Sequence, residues 1–90
     1  MKSILITTQH RGVFFAQVEE STDLTAKMLT NLKNCRMAIY WATTKGVMEL
    51  ASEGPNKNSK IGAPADVDVI HDVTAVFIVS DKAAEKWLAL

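Results

Sequence analysis

The chain predicts a single α+β domain: an antiparallel sheet of about five or six strands, one short inserted helix and a C-terminal helix. Three observations carry this. Short runs rich in β-branched and aromatic residues recur at 3–8, 13–18, 35–41, 67–71 and 73–79. Clusters of Gly, Pro, Asn and Ser separate them, with 54–62 the longest. Helical spacing of apolar residues is clear only at 44–53 and after Ser80.

Residues 3–8 form an apolar, β-branched run and read as the first strand. Gln9, His10, Arg11 and Gly12 make a polar connection ending in glycine, suited to a hairpin. Residues 13–18 are apolar on both alternating sets, so this strand should be covered on both faces. In 24–32, Leu24, Met28, Leu29 and Leu32 fit helical spacing with Asp23 as a cap. Thr30 and Asn31 are poor helix formers, however, and a strand over 27–32 is the favoured reading.

Lys33-Asn34 reads as a turn. The strand at 35–41 then alternates Arg36, Ala38 and Tyr40 against Met37, Ile39 and Trp41. The second set is wholly apolar and should face the core. The first is either a snorkelling surface pair, the commoner case, or one wall of a polar pocket. Residues 44–53 fit a short helix capped by Thr44, with Val47, Leu50 and Ala51 on one face and Gly54 at C′. Strands at 67–71 and 73–79 follow, and Val76, Phe77, Ile78 and Val79 should lie in the sheet interior. Ser80 caps the last helix, with Asp81 in its first turn and Ala84, Trp87 and Leu88 as its inner face.

Ninety residues make one small domain. At 48% hydrophobic, it holds more apolar material than so small a globule easily hides, and self-association is expected. Ten basic and ten acidic residues give zero formal charge, which argues against a generic nucleic-acid binder. Cys35 is the single cysteine, so no internal disulfide forms, and with two histidines it cannot build a structural zinc site of usual spacing. The apolar run at 4–6 is too short for a signal-peptide core, and no run approaches the roughly 20 residues of a membrane span. The chain reads as cytosolic.

No catalytic set emerges, and no cofactor is expected. His71-Asp72 invites a general-base reading, but adjacent strand residues point to opposite faces, and an exposed or structural histidine is commoner. Asp66 and Asp68 share a strand face, yet solvated edge charges explain them better than a metal. Cys35 beside Arg36 admits a lowered pKa, although a small buried hydrophobe is the plainer account. The loop at 54–62 joins six turn formers and two lysines and contains no acid. It offers N–H groups, amides and charge to an anion, though a solvated turn explains the same letters.

Four signatures occur in order: Thr7-Thr8-Gln9-His10-Arg11-Gly12-Val13-Phe14; Ala38-Ile39-Tyr40-Trp41; residues 54–62; and His71-Asp72-Val73-Thr74-Ala75-Val76. With the helix around Trp87, they resemble a family of small bacteriophage and prophage proteins labelled as a domain of unknown function. More loosely, the size, β-rich core and terminal helix are similar to phage anti-defence sponges, such as the Thoeris anti-defence proteins. Those form oligomers and sequester cyclic ADP-ribose isomers or cyclic oligonucleotides. The likeness implies a homo-oligomer in the host cytoplasm that captures a small nucleotide without cleaving it. It transfers no binding residue.

Chemistry alone picks the candidates for such a site. Phosphate wants Arg11, Arg36, Lys57 and Lys60. A base wants a flat π surface from Phe14, Tyr40 or Trp41, and Asn58 or Asn56 could read its edge. The alternative is a phage protein that binds a host protein through an apolar surface.

Overall fold

The computed structural model describes residues 1–9, 11–41 and 46–90. Eight elements follow in chain order: β1 (Lys2–Thr8), β2 (Val13–Val18), β3 (Leu29–Tyr40), α1 (Val47–Ser52), β4 (Lys60–Ile61), β5 (Ala65–Ile70), β6 (Val73–Ile78) and α2 (Asp81–Ala89). The six strands form one antiparallel sheet in the order β4-β3-β2-β1-β6, with β5 also paired to β3.

Alternation along the central strands creates two cores. Leu5, Val13 and Phe15 point to the face covered by α1 and α2, where they meet Leu50, Ala51, Val79, Ala83 and Trp87. Ile4, Ile6, Ala16 and Val18 point to the other face. There they are covered by Leu29, Leu32 and Cys35 of β3 and Ile70 of β5. The expectation that 13–18 is covered on both sides therefore holds. Ser80 caps α2 by accepting from Ala83 N at 3.1 Å, and its hydroxyl donates to Ser52 O at 2.8 Å, tying the two helices together. Trp87 stacks on Phe15 with ring centroids 5.1 Å apart and donates its indole N–H to Leu50 O at 3.0 Å. Burying this ring pair holds α2 on the sheet, and removing either ring would cost about 3–5 kcal/mol.

Strand β3 departs furthest from expectation. Residues 22–28 form turns and loop, the strand starts at Leu29, and it runs unbroken to Tyr40. Lys33-Asn34 is no turn between two strands. Against both β2 and β5, the register slips by one residue near Asn34, which has φ 51°. Asn31 also lies in the left-handed region, at φ 55°. Asparagine tolerates that conformation, so the turn-like letters at 33–34 encode a bulge within one long strand. The first half of β3 covers the second core while the second half extends the sheet.

From 36 to 39 the expected alternation holds with its inside and outside reversed, while Tyr40 is exposed and Trp41 packs on a core as expected. Arg36 is only 8% exposed and Ala38 is buried, whereas Met37 is 46% and Ile39 53% exposed. Ala38 is small enough to sit under the helices, and Arg36 finds acceptors inside. Trp41 is half-buried against the helical core.

Other elements shift as well. The inserted helix spans Val47–Ser52; Thr44, its expected cap, lies outside the described residues, as does His10 of the first hairpin. Gly54 does sit at C′, with φ 87° and its N–H bonded to Glu49 O. Strand β4 had no signal beyond the end of the turn-rich loop. Strand β6 lies at the edge of the sheet, not in its interior, and Ile78 is 68% exposed. In α2, Ala83 and not Leu88 joins Trp87 as the buried face, and Leu88 is exposed.

Candidate functional site

Arg36 is built into the fold. Strand β3 turns it beneath α2, where it donates from Nη1 to Gly62 O at 3.0 Å and from Nη2 to the backbone oxygen of Leu90. One cation thus joins three segments: β3, the residues after β4, and the C-terminal end of α2. The negative end of the helix dipole favours it there. These contacts occupy the group that phosphate would need.

The remaining candidates are spread over the surface. Arg11 is exposed in the β1–β2 connection, with φ 64°. Phe14 is half-buried on β2 against the second core. Tyr40 is exposed at the end of β3 and pairs with the exposed Lys60 of β4. Lys57 and Asn58 are exposed in the 54–62 loop. That loop is closed on itself: Asn56 Oδ1 accepts from Asn58 N at 3.1 Å and from Ser59 Oγ at 2.9 Å, and Ser59 N donates to Asn56 O. Its turn amides serve the turn, Gly54 is buried against Ala83 and Lys86 of α2, and Pro55 is buried.

Among the clefts of the described surface are three of about 670, 410 and 280 Å³. None of Arg11, Phe14, Arg36, Tyr40, Trp41, Lys57, Asn58 or Lys60 lines any of them. The two larger clefts flank β6 instead. One lies between β6 and the 24–27 loop, the other between β6 and Met48, Ala51 and Ser52 of α1.

What the structure does gather is apolar. Phe14 of β2 pairs directly with Met37 of β3, and Ile39 follows on the same face of β3. Gly62 donates its N–H to Met37 O, and Ile39 Cδ1 lies 3.9 Å from where a Cβ on Gly62 would stand. Arg11 lies two residues before the start of β2, and Lys60 of β4 pairs with Tyr40, the residue after Ile39. Sequence reasoning missed Met37 and Ile39 because two apolar residues alternating with an arginine look like an inner face.

Titratable groups add no reaction centre. Burial pushes the Cys35 thiol up to about 11, which keeps it protonated and inert near neutrality. Hydrogen bonds from the Thr25 hydroxyl and then the Thr25 backbone hold the exposed Asp23 carboxyl below its ordinary value. His71 and Asp72 form the exposed two-residue turn between β5 and β6, and Asp72 uses its backbone oxygen to accept from Gln9 N. Asp66 accepts from Asn34 N and lies 3.6 Å from Lys33 Nζ, so it braces the β3 bulge. Among the described residues, no group of three His, Cys, Asp or Glu could hold a metal, and no helix is long and apolar enough to cross a membrane.

The chain belongs to the family described as a domain of unknown function (DUF6948), whose model matches residues 1–87. No curated protein and no solved structure matches it.

Proposed function

We propose that this member of the family is a binding module that docks a protein partner through the apolar face at Phe14, Met37 and Ile39. The observation that carries the reading is the inversion in β3: Arg36 is turned inward while Met37 and Ile39 face solvent. Single exposed hydrophobes are ordinary, but a cross-strand pair with a third apolar residue beside it forms a patch. The exposed Arg11, which precedes β2, and Lys60, which pairs with Tyr40 beside Ile39 in the chain, favour a partner with an apolar centre and an acidic rim. By the resemblance to phage proteins, we place the partner in the cytoplasm of a bacterial host.

Capture of a cyclic nucleotide has the weaker support. Arg36 is already engaged by Gly62 and Leu90, and the candidate residues line none of the clefts described above.

The test compares the full chain with a Met37→Asp/Ile39→Asp variant. Both changes lie on the solvent face, so circular dichroism should be unchanged. A host protein retained by the wild-type chain, purified and titrated by calorimetry, should lose about 100-fold in affinity for the variant. Equal affinity for both chains refutes the docking face. A thermal shift on adding cyclic ADP-ribose, with that nucleotide recovered intact, would establish the nucleotide reading in its place.

A further inference from the structure

Strand β6 ends the sheet; its Val73 N–H donates to Lys27 O of the 24–27 loop at 2.9 Å, and beyond that bond its outer ladder has no partner among the described residues. Its inner edge pairs with β1 through Ile4↔Ile78, Leu5↔Phe77, Ile6↔Val76 and Thr7↔Ala75. The bond from Val79 N to Ser3 O fixes which amides face β1. In an antiparallel pair these alternate, so Phe77 and Ala75 bond to β1 while the N–H and C=O of Val76 and Ile78 point outward. Proteins usually protect such an edge with lysine, proline or a covering loop. Residues 73–80 contain no lysine, no proline and no charge, and Ile78 is 68% exposed. The bulge between Thr7 and Thr8 disturbs only the far end.

We propose that β6 pairs antiparallel with β6 of a second copy, joining two sheets into one across a two-fold axis at Phe77. This goes beyond the docking reading and uses another part of the molecule. The register follows from the outward groups. Val76 of each copy faces Ile78 of the other and exchanges both backbone hydrogen bonds with it, so the open groups of these two residues are paired on both copies. Phe77 faces its own copy in the closer, non-hydrogen-bonded position. Because 73–80 is uncharged, no like charges are opposed. A partner with charged or proline-bearing residues would lack this match. The incoming strand has room, since the clefts of about 410 and 670 Å³ lie along β6 beside the 24–27 loop and beside α1. Met48 of α1 is 59% exposed and lines the larger cleft, so it would close over the seam.

Sedimentation of the full chain tests the pairing. The wild type should run as a dimer, twice 9.9 kDa, at about 100 µM. Ile78→Lys should run as a monomer with a native circular dichroism spectrum. Hydrogen exchange on the wild type needs no variant and decides the matter should Ile78→Lys fail to fold. The amides of Val76 and Ile78 should exchange about 100-fold more slowly at high than at low protein concentration. A wild type that is monomeric at about 100 µM, an Ile78→Lys chain that remains dimeric, or exchange independent of concentration would each overturn the proposal. The Met37→Asp/Ile39→Asp chain should still dimerise, so failure of either surface can be told from failure of the other.

Discussion

Replacing Arg36 by alanine should destabilise the fold severely. The guanidinium donates to Gly62 O and to the backbone oxygen of Leu90, and both bonds disappear in Arg36→Ala. Hydrogen bonds to a charged group contribute about 1.5–3 kcal/mol each, so the gross loss is about 3–6 kcal/mol. Part is returned, because a cation no longer has to be held away from water and the part-buried oxygens can be hydrated. The net cost should be about 2–4 kcal/mol, against a total stability of about 5–13 kcal/mol for 90 residues. In a domain this small, each kcal/mol shifts Tm by about 4–8 °C, so Tm should fall by about 10–25 °C. Arg36→Met keeps the apolar stem and should recover about 1 kcal/mol of that. The assay is thermal melting with urea titration, the slope of the titration reporting whether unfolding stays two-state. A Tm within about 3 °C of wild type would refute the reasoning, and would reopen Arg36 as a ligand group held only by chance contacts.

Ser80→Ala removes both the α2 cap and the hydroxyl bond to Ser52 O. It should cost about 1–2 kcal/mol, read as a lower urea midpoint at unchanged slope. Cys35, with its thiol raised to about 11 from 9.0, should react with a thiol reagent at pH 8 about 100-fold more slowly in the native chain than in urea, since the thiolate fraction falls in that ratio. The same shift has a sign for stability: the fold favours the neutral thiol, so this contribution is whole below about pH 9 and is lost as pH rises toward 11. Urea midpoints at pH 8 and pH 10.5 should therefore diverge more for the wild type than for Cys35→Ala.

Local chemistry made most elements legible. Ile4, Leu5 and Ile6 declare a strand buried on both faces. The Ser80 cap and the Gly54 stop depend only on neighbours within a turn, and both stand where the letters put them. Strand β3 was harder because its signals conflict locally and are resolved at long range. Asn31 and Asn34 carry the letters of a turn, and whether such letters close a hairpin or bend a strand depends on what pairs alongside. Here β2 and β5 pair on the two sides, and the chain continues.

The candidate site failed to assemble for a related reason. Reading Arg36 as a ligand group assumes that a charged residue alternating with apolar ones must face outward. That assumption fails when the charge has acceptors waiting inside, and Gly62 and Leu90 lie 26 and 54 residues away along the chain. Once Arg36 turns in, alternation forces Met37 and Ile39 out. The exposure of Met37 and Ile39 therefore follows from the buried cation, whereas their apolar character does not. A chain selected only for stability could have placed an apolar residue at 36 and polar ones at 37 and 39. That it carries the opposite arrangement, on a strand bulged at Asn34, is what makes the outer face of β3 the surface where function should be sought.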